Sequence, residues 1–177
     1  MFSGKSEELI RRVTRSVLAH VPVQTFKPSL DVRFATAEVV SHSSLSVEAM
    51  PVEDSASLLA AIDDVTQVVG IDEGQFFDDG LVDVAERLAK SGKQVIVAGL
   101  DLDYLGRPFQ PIPTLAARSE YVTKMLAVCH RCGGPAGFTQ RIVQSDELVV
   151  LGATDSYEAR CRLCWDPSEA RQTHLEL

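Results

Sequence analysis

The chain has 177 residues, 45% of them hydrophobic, which is enough for one domain with a real core and a small appendage. Seventeen basic residues against 25 acidic leave a formal net charge of −8, which argues against an extended nucleic-acid footprint, because that needs clustered cations. No apolar run approaches the 18 residues of a membrane span and no basic-then-apolar leader opens the chain, so a soluble, cytoplasmic protein is expected.

The opening segment, Met1 to Ile10, contains Gly4-Lys5-Ser6, the second half of the phosphate-binding pattern G-x-x-x-x-G-K-[ST]. In that pattern backbone N–H groups and a helix N-terminus hold phosphate oxygens, the lysine reaches the outer phosphates and the hydroxyl ligates magnesium. The pattern's first glycine would fall two residues before Met1, and a bare Gly-Lys-Ser also arises by chance. Leu9, Val13 and Val17 recur at helical spacing with Ile10 alongside, and Arg11, Arg12 and Arg15 fill the other face, so a helix starts at the loop. Val21 to Phe26 reads as a short strand, with Pro22 marking its start or an edge. The loop that follows carries Asp31 and Arg33, either a surface pair of small energetic worth or groups that reach metal and phosphate.

Val39-Val40 and Val47 to Val52 read as brief strands, and His42 between them as an ordinary loop histidine. Asp54 is a plausible N-cap for a helix over Ser55 to Ile62. Val68-Val69-Gly70-Ile71 then reads as a buried parallel strand with Asp72 and Glu73 at its carboxyl end. Such a pair is either a solvated acidic turn or the mouth of a site, since open α/β sheets hold ligands at the carboxyl ends of their strands. Gly4-Lys5-Ser6 favours the second reading, because a phosphate-loop site needs a carboxylate from another strand to help hold magnesium. Leu81, Val84, Ala85 and Leu88 mark a helix ending at Gly92, and Gln94 to Gly99 a further buried strand, so strand, helix and strand alternate as parallel units require. Leu100 to Phe109 is a second strand-end loop, either a pocket wall for a flat ring or a turn closed by Gly106 and Pro108. A short helix near Leu115–Ser119 and a last core strand, Tyr121 to Val128, complete this part.

Cys129-x2-Cys132 and Cys161-x2-Cys164 bracket 28 residues and use every cysteine in the chain. Two disulfides would satisfy the pairing, but four thiolates at this spacing in a cytoplasmic chain point to a closed, structural zinc site. His130 lies inside the first knuckle and need not ligate. Between the knuckles, Gly137 to Val143 and Glu147 to Leu151 are β-prone runs joined through Ser145-Asp146. The expected class is α/β, a mostly parallel P-loop-like sheet flanked by helices, spanning residues 1–128. A small zinc-stapled hairpin or lasso is expected over 129–177.

Five stretches together carry a resemblance: Met1 to Leu9, Ile71-Asp72-Glu73-Gly74-Gln75-Phe76-Phe77, Gly99-Leu100-Asp101 with Arg107-Pro108-Phe109, Phe138-Thr139-Gln140-Arg141, and Tyr157 to Cys164. In this order they resemble the type II, zinc-containing thymidine kinases. The resemblance implies transfer of the ATP γ-phosphate to the 5′-hydroxyl of thymidine, with deoxyuridine also accepted, in a homotetramer inhibited by dTTP, and with magnesium accompanying ATP. It gives Glu73 the general-base role and assigns ATP phosphates to Ser3, Gly4, Lys5, Ser6, Asp31, Arg33, Asp72 and Gln75, with Ser6 and Asp72 at magnesium. The thymidine pocket it implies comprises Met1, Phe76, Leu100, Tyr104, Phe109, Thr139, Leu148, Val150 and Tyr157, with the segment between the cysteine pairs as a lid. The family's first strand and the opening Gly-Pro of its loop have no counterpart in the sequence as given, so weakened phosphate binding is expected, and a nucleotide-binding protein without full catalysis is the alternative. Tyr104-Leu105 also departs from the family's aromatic-then-basic pattern. A zinc-ribbon ATPase acting on nucleic acid is a further rival, opposed by the acidic balance.

Overall fold

The computed structural model of the chain describes residues 1–29, 38–40, 46–143 and 156–170. They form two compact units, a larger one of Gly4–Leu100 with Gln110–Tyr121, and a smaller one of Met1–Ser3, Asp101–Phe109 and Val122–Leu177.

The larger unit opens with α1 (Lys5–Leu18), followed by β1 (Val23–Pro28), β2 (Glu38–Val40), β3 (Ser46–Glu48) and β4 (Met50–Val52). Next come α2 (Ser55–Ala60), β5 (Val68–Ile71), α3 (Gly80–Lys90), β6 (Gln94–Val97) and α4 (Ile112–Arg118). Four strands make one sheet in the order β4-β1-β5-β6, and all three pairings are parallel. Parallel strands need crossovers; the chain passes from β4 to β5 through α2 and from β5 to β6 through α3. β2 and β3 form a separate antiparallel pair.

Alternation along β5 sets the two faces of the sheet. Val69 and Ile71, both fully buried, join Phe26, Leu58, Leu81, Val84 and Leu88 on the face covered by α2 and α3. On the opposite face a Cβ at Gly70 would stand 3.1 Å from Val13 Cγ2, so α1 lies against the backbone there. Burying side chains such as Phe26, Leu58 and Leu81 contributes about 1.5–3 kcal/mol each. The class is therefore α/β, as the alternating pattern predicts.

Local details follow from chemistry. Asp54 caps α2 by accepting from the Ser57 amide at 2.7 Å. Gly92, at φ +86°, supplies the left-handed residue after α3. Pro22 precedes β1 and leaves it interior, its carbonyl accepting from Gln67 and Val68. Val17 departs from its expected place on the buried stripe of α1, because the helix packs through Leu9 and Val13 and Val17 lies one turn beyond, 53% exposed.

The smaller unit contains two antiparallel pairs. β7 (Ala127–Val128) pairs with β8 (Pro135–Ala136), and β9 (Phe138–Arg141) with β10 (Tyr157–Arg160). The expected core strand Tyr121 to Val128 is thereby corrected: only its last two residues are β, and Tyr121 and Val122 are exposed. Aromatic and β-branched residues made it look like a strand, yet no neighbouring strand pairs with residues 121–126 among the described residues. The run Glu147 to Leu151 lies outside the described residues.

Candidate active site

In the larger unit, Gly4 takes φ +78°, a left-handed conformation that costs glycine little, and Lys5 opens α1 directly after it. Glu7 and Glu8 occupy the first turn, where the helix dipole favours negative charge. Arg11 and then Arg12 bond Glu8 and draw its carboxyl down to about 2. These arginines brace the helix surface, in keeping with a solvated face.

β5 carries the chain to Asp72, whose amide still bonds the Phe26 carbonyl of β1 at 2.9 Å. The Asp72 carboxylate accepts the Ser6 hydroxyl at 2.9 Å through Oδ2 and at 3.2 Å through Oδ1. Residues 66 apart in sequence thus meet at the carboxyl end of a central parallel strand. Burial first, and the neighbouring Glu73 charge second, push Asp72 up to about 6, against the pull of the Ser6 hydroxyl, the Glu73 amide and the Lys5 charge. Lys5 therefore acts electrostatically on the same carboxylate.

Glu73 adopts φ +49° and ψ +41°, a left-handed conformation that costs a side-chain-bearing residue on the order of 1–2 kcal/mol. This bend starts a short 3-10 turn, Gly74–Phe76. The Gly74 amide bonds the Ala98 carbonyl at 2.9 Å, fixing the turn to the end of β6. Gln75 is buried, and both ends of its amide are engaged, the nitrogen with Glu73 Oε2 and the oxygen with the Leu100 amide. Phe76 and Leu100 belong to this unit as well.

The smaller unit holds Met1, Ser3, Tyr104, Phe109, Thr139 and Tyr157. The Met1 nitrogen donates to Thr139 Oγ1 at 3.0 Å, and Thr139 and Tyr157 are buried. The loop Asp101–Phe109 is a folded turn. Asp103 Oδ1 accepts from the Leu105 and Arg107 amides at 2.8 Å, and the Phe109 amide bonds the Asp101 carbonyl. Trp165 anchors this loop by donating Nε1–H to the Tyr104 carbonyl at 3.3 Å and by stacking on Phe138. Asp31, Arg33, Leu148 and Val150 lie outside the described residues.

Sequence reasoning passed over one residue here. Arg141, 1% exposed, lays its guanidinium 3.6 Å from the Tyr104 ring centroid and 5.6 Å from that of Tyr157, and donates Nη2–H to the Tyr157 hydroxyl at 3.2 Å. The available signal was strand alternation, which puts Arg141 on the same face of β9 as Thr139.

The four cysteines gather with their sulfur atoms all within 4.8 Å of one another, and Cys132 and Cys161 are 3.6 Å apart. A tetrahedron with Zn–S bonds near 2.3 Å has edges of about 3.8 Å, so the donor set and its spacing fit zinc. No disulfide joins them. Burial opposes ionisation of Cys129, but amides of Cys161, Cys132 and Arg131 outweigh it and draw that thiol down to about 6. Cys164 is pushed up to about 12, first by its contact with Cys161. Four sulfurs so close cannot all ionise without a cation among them.

A parallel sheet that brings a Gly-Lys-Ser helix start against a strand-end aspartate has the architecture of a P-loop phosphotransferase. The family model for thymidine kinase matches residues 1–165. A thymidine kinase from Rhodothermus sp. (strain ITI 518) is 51% identical over 173 residues, 98% of this chain and 81% of that protein. One from Bacteroides thetaiotaomicron is 50% identical over 165 residues, 93% of this chain and 82% of that protein. The chain belongs to the thymidine kinase family. No helix among the described residues is long and apolar enough to cross a membrane.

Proposed function

We propose that this protein transfers the γ-phosphate of ATP to the 5′-hydroxyl of thymidine, giving dTMP for DNA synthesis, with deoxyuridine as a second acceptor. The observation that carries the reading is the contact between the Ser6 hydroxyl and the Asp72 carboxylate beside Lys5. Phosphoryl transfer depends on positioning and on neutralising charge. Gly4 and the first turn of α1 bind phosphate oxygens, with Ser3, Asp31 and Arg33 beside them in the family pattern, and Lys5 meets the charge of the outer phosphates. Ser6 and Asp72 are the residues that would hold magnesium, which neutralises phosphate charge when bound. Glu73 takes the proton of the attacking alcohol.

Met1, Phe76, Leu100, Tyr104, Phe109, Thr139, Leu148, Val150 and Tyr157 are assigned to thymidine by the same family pattern. Zinc on the four cysteines is structural, since no coordination position stays open. Feedback inhibition by dTTP, a homotetramer and a cytoplasmic location complete the proposal. The alternative of a binder without catalysis is disfavoured by the match to the thymidine kinase family and to thymidine kinases about half identical to this chain. The test is a phosphate-transfer assay over a panel of nucleosides. ADP release that depends on thymidine is expected, and its absence with every pyrimidine nucleoside would overturn the reading.

A further inference from the structure

We infer that Gln75 is a positioning residue for the general base: its side-chain amide fixes one carboxylate oxygen of Glu73 and leaves the other to receive the proton of the acceptor alcohol. The inference rests on the reading of Glu73 as that base.

The orientation of the Gln75 amide follows from its partners. The Leu100 backbone N–H lies 2.9 Å from Gln75 Oε1 and can only donate, so the oxygen of the amide must face it. The NH2 group is thereby turned toward Glu73, where it donates to Oε2.

The surroundings keep this arrangement in place. Gln75 is 3% exposed, so water does not compete for its amide. A Cβ at Gly99 would lie 3.0 Å from Gln75 Oε1 and 2.5 Å from Ile112 Cδ1, so a glycine there leaves the amide its space. Glu73 is itself held in the left-handed region, and the Gly74 amide ties the turn to Ala98. A strained carboxylate with one oxygen tethered has little freedom to swing away from the acceptor. Gln75, which the resemblance sets among the residues at the ATP phosphates, is here assigned instead to Glu73, through which it acts on the chemistry.

The test compares wild type with Gln75→Met, which keeps the bulk and loses the donor, and Gln75→Glu, which keeps an acceptor for Leu100 and replaces the NH2 group by oxygen. For Gln75→Met, kcat should fall about 10- to 100-fold while the KM for ATP stays within about threefold. For Gln75→Glu, kcat relative to wild type should rise as pH falls from 8 toward 6, because a carboxyl that regains a proton donates to Glu73 again. A raised ATP KM at unchanged kcat in Gln75→Met would make Gln75 a phosphate ligand and overturn the inference. So would a Gln75→Glu to wild-type ratio that stays flat with pH, the result of a packing role alone. Should Gln75→Glu not fold, as judged by its thermal transition, the kcat-against-KM split in Gln75→Met decides. Wild type without thymidine-dependent ADP release would instead sink the reading of Glu73, a separate failure.

Discussion

Asp72 and Glu73 are adjacent carboxylates in different backbone states, a difference that matches the separate roles proposed for them. Asp72 continues the ladder of β5 and meets Ser6, whereas Glu73 is turned out of the strand by its left-handed backbone. Glu73→Gln should lower kcat by about 100-fold or more while leaving ATP affinity nearly unchanged, and near-normal turnover in that variant would remove Glu73 from the base role. Asp72 supplies the pH dependence. Its carboxyl is raised from 3.8 to about 6, so between these values the folded protein holds a proton that the unfolded chain has released. The stability tied to this group is complete below the lower value and declines as pH rises to about 6. In the proposed function the dependence runs the other way, because only the ionised carboxylate would ligate magnesium. The KM for magnesium-ATP should therefore climb as pH drops below about 6, and a KM that is level from pH 5.5 to 8 would exclude Asp72 from the metal site.

Secondary-structure elements were legible wherever a periodic apolar pattern met a terminating residue. β5, buried at all four positions, α2 with its Asp54 cap and α3 with Gly92 beyond it fall where their residues put them. Tyr121 to Val128 was misread because propensity describes a residue's fitness for a strand and not the presence of a partner. β10, Tyr-Glu-Ala-Arg, has too little β-prone character to be noticed, and its pairing with β9 is a tertiary fact. Of the site, Lys5, Ser6 and Asp72 were legible from motif chemistry, while the tether on Glu73 and the burial of Arg141 depend on contacts that no spacing encodes. The junction of β6 with α4 offers a test at this scale. An alanine at Gly99 would place its Cβ 2.5 Å from Ile112 Cδ1, so Gly99→Ala should destabilise the fold by about 1–3 kcal/mol in denaturant unfolding. Shortening the neighbour with Ile112→Val in the same chain should recover part of that loss. Additive effects of the two changes would show that the contact is not the cause.

At the scale of the whole molecule, the two units have unequal means of staying folded. The larger has a core of Phe26, Leu58, Val69, Ile71, Leu81 and their neighbours, all large side chains taken from water. The buried cluster of the smaller is Ala127, Cys129, Ala136 and Ala159, with Phe2, Cys161 and Cys164 against it. Methyl groups and thiols bury little area each, so apolar burial contributes correspondingly little there. A zinc ion on four thiolates contributes on the order of 10 kcal/mol in small metal-stapled domains, which would make it the dominant source of order for this unit. Its effect would pass along the chain from Cys164 to Trp165, whose indole holds the Tyr104 carbonyl, and from Cys161 to β10 with Tyr157. Stripping the metal with a strong chelator, or replacing Cys161 by serine, should therefore raise the KM for thymidine by at least about tenfold. ATP affinity, proposed to rest on Gly4, Lys5, Ser6 and Asp72 in the larger unit, should change far less. Calorimetry of the chelated protein should show an early transition that zinc abolishes, while fluorescent-ATP titration continues to report binding. If thymidine and ATP affinities instead fell together and in equal proportion, the metal would be stabilising the molecule as a single cooperative block, and the division of roles argued from the two cores would be lost.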